Sequence, residues 1–232
     1  MQRRNFTSAL VSGVAVSSLA AVVMPGRAAD ISETDAATGI RAALERGAAI
    51  AVQLLGKPDG FLNNPKVRIP LPGFLNDAAK LLKFAGQQRR VDELVTAMNR
   101  AAESAVPEAR TLLVNAVRSM SVEDARRILT GGDDSATRFF ADKTRTPLTG
   151  RFLPIVTKAT ERVALADKYN AVAGKAAGIG LVDAKDANLQ QYVTGKALDG
   201  LYLTIGEEER KIRSDPVGTG SAILRKVFGS IR

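Results

Sequence analysis

From Ser32 to Asn76 the chain reads SETDAATGIRAALERGAAIAVQLLGKPDGFLNNPKVRIPLPGFLN, and the change of pattern inside this stretch decides the fold. Ile40, Ala43, Leu44, Gly47, Ala51, Leu54 and Leu55 recur at helical spacing and so share one face of a helix. Ser32, with Asp35 three residues on, has the form of a capping box at its start, and Gly56 and Pro58 end it. Beyond Gly56 the helical period stops. Pro58, Pro65, Pro70 and Pro72 forbid a helix and would interrupt any central strand. Val67, Ile69 and Leu71 alternate with Arg68 and Pro70, so residues 56–76 are expected to form an extended arm with one face on a surface. A connection this long is uncommon in a compact domain unless it is functional. It can serve as a plug for the end of a bundle, or as a lid over a cavity with Asn63 and Asn64 as polar contacts.

Working outward, the helical period resumes in Val91, Leu94, Val95, Met98, Ala102 and Ala105. Pro107 opens the next helix, with Ala109, Leu112, Leu113, Ala116, Val117 and Met120 facing inward. Ser121 and Asp124 begin another, which stops at Gly131-Gly132 in an expected left-handed cap. Asp133 or Asp134 is expected to accept from free amides at the start of the helix that carries Phe139 and Phe140. Thr146-Pro147 reads as the cap and first position of a further helix, bent by Pro154. Residues 167–179, 186–213 and 221–231 complete the set. The expectation is an all-α, single-domain bundle of about nine helices over residues 30–232, with the proline-rich arm between the first two. Gly195, Gly200 and Gly206 fall inside one of these helices at about 1 kcal/mol each relative to alanine, which points to close crossing by another helix or a ligand.

Residues 1–29 carry a different pattern. Arg3-Arg4-Asn5-Phe6 precedes an uncharged stretch rich in Ala, Val, Leu and Ser, and Gly26-Arg27-Ala28 offers small residues for cleavage near Ala28 or Ala29. This is the layout of a cleavable export signal of twin-arginine character, with an ordinary secretory signal as the competing reading and the periplasm as the expected location. Loss of Arg3, Arg4 and Arg27 with the signal lowers the net charge from +9 to +6.

Composition excludes several chemistries. The sequence contains no cysteine and no histidine, so disulfides, Ser-His-Asp triads, Cys-His dyads and the usual zinc and haem ligand sets are impossible. No cofactor is implied. Lysines and arginines are scattered among acids without an aromatic stacking module, which argues against nucleic acid as a partner. Asp133-Asp134 lacks the alternate acid spacing of an oxygen-ligand cation loop. Glu207 and Glu209 each precede a cation by four residues, Lys211 and Arg213, as ion pairs on a solvated face would. Lys196 and Asp199, one turn apart beside Tyr192, would suit acid-base chemistry if buried, and an internal ion pair between helices otherwise. Asn99 and Arg100 border an apolar stripe, where the guanidinium would hold a carboxylate or phosphate headgroup or pair with Glu103 or an acid elsewhere. At the tail, Ile223, Leu224, Val227, Phe228 and Ile231 share a face opposite Arg225, Lys226 and Arg232, a basic amphipathic helix able to rest on anionic lipid or to dock on the bundle.

Several blocks together resemble a known family. They are Gly56 to Pro65 with Ile69-Pro70-Leu71-Pro72, Met98 to Glu103, Gly131 to Asp134, Phe152 to Val156, Tyr169-Asn170, Tyr192 to Leu201, and Glu207 to Arg213 followed by Asp215-Pro216. The chain resembles the exported bacterial proteins that carry domain of unknown function 4197, over nearly all of its length after the leader. The resemblance implies an exported helical domain without an established activity. Some members of that family are lipoproteins, and this chain lacks the cysteine they carry. Candidate ligand contacts are Asn63, Asn64, Asn99, Arg100, Tyr169, Tyr192, Lys196 and Asp199. Three functions follow as expectations: an envelope protein binding a lipid or other hydrophobic small molecule beneath the arm, an adaptor presenting the arm or tail to another envelope component, or a hydrolase or lyase built on Lys196, Asp199 and Tyr192.

Overall fold

The computed structural model describes residues 33–75, 86, 88–161, 163–180, 183 and 187–215. The expected export signal, Ser32, Asn76 and the expected tail helix over 221–231 lie outside them. Among the described residues there is no strand, and seven α-helices follow one another: α1 (Glu33–Leu55), α2 (Gln88–Ala105), α3 (Ala109–Arg118), α4 (Val122–Thr130), α5 (Ser135–Thr160), α6 (Ala164–Gly178) and α7 (Leu189–Ser214). Two 3-10 turns, Gly73–Leu75 and Val106–Glu108, join them to their neighbours, the second carrying Pro107 at its start.

Among the described residues two of the expected helices are one. The break foreseen at Thr146-Pro147 is absent, and α5 runs through both Pro147 and Pro154. Each proline removes the amide that would bond the carbonyl four residues earlier, on Lys143 and Gly150. Pro147, Pro154, Lys143 and Gly150 are all exposed, so water can satisfy those carbonyls. The opposite side is held by packing. Ala136, Phe140, Thr144, Leu148, Phe152, Val156 and Thr160 are buried at a strict spacing of four. At about 100° per residue such a stripe advances about 40° per step, so the buried face walks around the helix and needs neighbours on more than one side.

The principal neighbour is α7, which runs antiparallel to α5 over its whole length. Thr137 meets Glu209 at one end, Thr144 meets Tyr202 at 2.9 Å and Arg145 meets Asp199 at 3.0 Å in the middle, and Thr160 meets Gln190 at 3.4 Å at the other end. α1 packs on another side of α7, where a Cβ placed on Gly47 would lie 3.6 Å from Ile212. The core is filled by Phe61, Phe140, Phe152, Ile40, Leu55, Leu94, Met98, Leu113, Leu148 and Leu198 with many alanines between them.

The three glycines of α7 are not equivalent. A Cβ on Gly200 would lie 2.8 Å from the Phe61 ring and 3.2 Å from Val67, and one on Gly206 would lie 3.2 Å from Thr137, whereas nothing stands within 4 Å of one on Gly195. Close crossing by a helix is thus the reason at Gly206 alone, and at Gly200 it is the proline-rich segment that approaches. At the end of α4, Gly131 has φ −80° and ψ 174°, so the expected left-handed cap is corrected to an extended one. The glycine serves close approach instead, since a Cβ there would lie 2.7 Å from both the Arg127 carbonyl and Ser135. The capping box of α4 is present: Ser121 Oγ accepts from Asp124 N at 3.0 Å, and Asp124 accepts from Ser121 N at 3.1 Å.

Gly200→Ala is expected to lower stability by about 1–3 kcal/mol through overpacking against Phe61, while Gly195→Ala should be neutral or raise it by up to about 1 kcal/mol. Urea midpoints of the two variants discriminate them. The Ser121 hydroxyl and amide, with Arg127, hold the Asp124 carboxyl below its usual range. Such a group contributes stability above its unfolded pKa, near 4, that is lost as pH falls through its lower folded value. Midpoints of wild type and Asp124→Asn should therefore differ at pH 7 and converge below about pH 4.

Candidate functional site

The segment after α1 is where most of the candidate residues meet. It is less extended than expected: turns run from Pro58 to Asn63 and from Pro65 to Val67, and only 68–72 form a longer run free of turns. Two local features impose the turns. Asp59 takes a left-handed conformation at φ 67°, and Gly60 folds so close over the end of α1 that a Cβ would lie 2.5 Å from the Leu55 carbonyl. Farther on, the Asn64 carbonyl accepts from Val67 N and Arg68 N, and its side chain accepts from Lys66 N. Phe61, Val67 and Ile69 are buried, while Arg68 and Pro70 between and beside them are exposed.

A segment rich in proline cannot pair its own backbone, so the bundle does it. Asn99 of α2, wholly buried, accepts from Ile69 N at 2.8 Å and donates to Ile69 O at 3.0 Å, as an adjacent strand would, and also donates to Val95 O. One turn on, Glu103 is 4% exposed and accepts from Phe61 N at 3.0 Å and Leu62 N at 3.1 Å. Its second oxygen accepts from Arg100 at 2.7 Å, and Arg100 also donates to Asp59 at 2.7 Å. The carboxylates of Glu103 and then Asp59 raise the Arg100 pKa further above its ordinary value, so this guanidinium stays charged. From α7, Tyr192 donates its hydroxyl to Pro70 O at 3.0 Å, and Glu207 pairs with Lys66 at 2.6 Å.

The structure thus brings Asn99, Arg100 and Tyr192 together, and brings them onto the chain's own segment. Lys196 is exposed with its ammonium 5.8 Å from the centre of the Tyr192 ring, whereas exposed Asp199 turns to Arg145 of α5. An ion pair does tie these two helices, but it is exposed and made with Arg145, not the internal pair expected of Lys196 and Asp199. Asn63 is exposed, Asn64 shapes its own turn, and Tyr169 is buried on α6. Glu103 was visible in the sequence only as a partner for Arg100. Its role as a receptor for two backbone amides has no sequence signal, because it depends on where residues 61 and 62 fold back.

The acidic run 207–209 also departs from expectation. Glu207 binds Lys66, Lys211 pairs with Glu208 at 2.6 Å, and Glu209 is buried. Glu209 accepts from the amides of Ala136 and Thr137 and from the Thr137 hydroxyl, which caps α5 from another helix, while Asp134 at the cap position makes no such bond. Arg213 lies 2.9 Å from Glu209 and reaches the Ile128 carbonyl and Ser135. The pair is a buried clasp around Gly131-Gly132 rather than a solvated face. A buried carboxylate beside the first turn of a helix is favoured by the free amides and by the helix dipole.

Among the described residues two concave surfaces stand out. A groove of about 620 Å³ between α2 and α5 is lined by Ser104, Pro154, Ile155, Lys158 and Ala159. A second, of about 600 Å³, lies along the start of α2 and is lined by Gln88, Arg89, Asp92, Glu93, Thr96 and Ala97. Only the first combines apolar walls with a single cation. Among the described residues no three Asp or Glu side chains gather as a metal site would need, and no helix is long and apolar enough to cross a membrane.

The buried contacts of Met98 to Glu103 with Gly56 to Pro72 join two of the blocks that carry the family resemblance. A family model described as "Protein of unknown function (DUF4197)" matches residues 30–229. The chain belongs to that family. No curated protein and no solved structure matches it. Within this DUF4197 chain, the asparagine and glutamate of the Met98 to Glu103 block hold the proline-rich segment, and the tyrosine of the Tyr192 to Leu201 block holds it from the other side.

Asn99→Ala is expected to leave both backbone groups of Ile69 unpaired in a buried place, at about 1–3 kcal/mol for each. Hydrogen exchange should then show the Ile69 amide opening earlier than amides of α5 and α7. Equal protection in variant and wild type would contradict the bonding described.

Proposed function

We propose that the protein is a non-catalytic binding protein of the cell envelope that seats an amphiphilic, lipid-like molecule in the groove between α2 and α5. The observation that carries this reading is the groove itself. Its volume falls in the range of small-molecule sites, its walls include Pro154, Ile155 and Ala159, and Lys158 is the one charged side chain among its lining residues. An apolar tail against the walls and an acidic head near the ammonium would use both parts. Export to the periplasm belongs to the same proposal and rests on the pattern of residues 1–29.

The seat proposed is not beneath the proline-rich segment. Phe61 and Ile69 point from that segment into the core, and Phe61 stands against Gly200, so the described residues there support a plug rather than a lid. The acid-base reading loses support because Lys196 and Asp199 are both exposed and Asp199 is engaged by Arg145. An adaptor role draws on one specific observation: Lys57, Lys66, Arg68 and Pro70 are displayed at the surface of a segment whose backbone is fixed from below. In-cell crosslinking from position 68 would then capture one envelope component repeatedly.

Protein purified gently from its own periplasm and measured by native mass spectrometry should carry an adduct that solvent extraction identifies as an acidic amphiphile. Ala159→Trp, which fills the groove, should lose that adduct while keeping the wild-type unfolding midpoint. Wild-type protein that is consistently free of adducts would sink the proposal.

A further inference from the structure

The exposed side of α5 carries a charge pattern that the groove alone does not use. Lys143, Pro147, Arg151, Pro154 and Lys158 are all exposed. At about 100° per residue they fall within a sector of about 80° on one side of the helix. From Lys143 to Lys158 the stripe spans about 22 Å at 1.5 Å per residue. No acid lies in that sector between its ends: Asp142 falls on another side, and Glu161 follows beyond Lys158. The other cations of the helix are spoken for, with Arg138 on Asp134 and Arg145 on Asp199, whereas Lys143, Arg151 and Lys158 have no partner among the described residues. Pro154 and Lys158 belong both to this stripe and to the lining of the groove, so the cationic surface and the apolar surface are continuous.

We propose that this stripe docks the protein on an anionic phospholipid bilayer, with the groove opening at the surface where an amphiphile would enter or leave. The choice of lipid over other polyanions rests on the reading of the groove given above; the docking itself rests on the charges. Three unpaired cations along a rigid helix complement a sheet of negative headgroups, and the absence of intervening acid removes the repulsion that the rest of the mixed surface would meet. Each basic residue close to such a surface contributes about fivefold in affinity, so the three together account for roughly 100-fold at moderate ionic strength. The two prolines and the short Gly150 keep the helix surface low between the cations, which lets long side chains reach the headgroups.

The test is flotation of the full-length processed protein with vesicles of phosphatidylglycerol and phosphatidylcholine, against vesicles of phosphatidylcholine alone. Binding is expected to anionic vesicles only, to weaken with salt, and to fall about 100-fold in the triple variant Lys143→Gln, Arg151→Gln, Lys158→Gln. A charge-matched control, Arg89→Gln, Arg90→Gln, Arg126→Gln, should bind as wild type does. An equal loss in the control, or no vesicle binding by wild type, overturns the proposal. Loss confined to Arg225→Gln, Lys226→Gln, Arg232→Gln also overturns it and moves the contact to the tail. Ala159→Trp keeps the stripe intact, so vesicle binding that survives in that variant without any native adduct separates failure of the groove reading from failure of docking.

Discussion

Asn99 and Glu103 are two side chains one turn apart on α2, and between them they satisfy four backbone groups of a segment that prolines bar from both helix and sheet. An unpaired buried amide or carbonyl costs about as much as a hydrogen bond lost, so a segment of this composition can lie inside a protein only where side chains replace the missing ladder. With that replacement in place, Phe61, Val67 and Ile69 become core residues, and Phe61 reaches the Gly200 site of α7. The helices on either side of the segment are thereby joined through it. This matters more here than in most bundles, because alanine is the commonest core residue and offers little area per contact, and the sequence has no cysteine to crosslink it.

The same device appears at the other end of the molecule. Glu209 replaces the missing cap of α5, and Arg213 takes up carbonyl and hydroxyl groups at the junction with α4. In both places a buried carboxylate is held by amides and by one guanidinium, so its charge is compensated by groups that are themselves fixed. Breaking one member leaves the others buried without a partner, which is why these clusters behave as joints of the fold and not as reactive groups. It also explains why residues that look chemically capable in the sequence, such as Arg100 and Tyr192, are already committed to internal bonds.

The helical class was legible because periodicity is a local property: the stripes of α1, α2 and α3 and the Ser121-Asp124 box are visible in short windows. Pro147 misled because a proline's effect depends on whether the freed carbonyl faces water, and no window of sequence reports which side of a helix is exposed. Capping by Glu209 and backbone binding by Glu103 were illegible for a related reason. Each joins residues separated by forty to seventy positions, and an acid at such a distance carries no pattern. The candidate groove was missed too, since Ser104 and the 154–159 turns come together only when α2 and α5 pack.

α7 is the last described helix, yet it supplies the cap of α5, the tyrosine on Pro70, the partner of Lys66 and the glycine beneath Phe61. These four joints therefore wait for α7 to be synthesised, whereas those that Asn99 and Glu103 make with the proline-rich segment do not. On the ribosome the earlier helices have formed stripes without the neighbour that closes them, and loop closure over such separations is slow compared with helix formation. These joints thus close only once α7 has left the ribosome. Until then α5 keeps an uncapped start and the part of its apolar face that α7 covers, a surface suited to holding by chaperones.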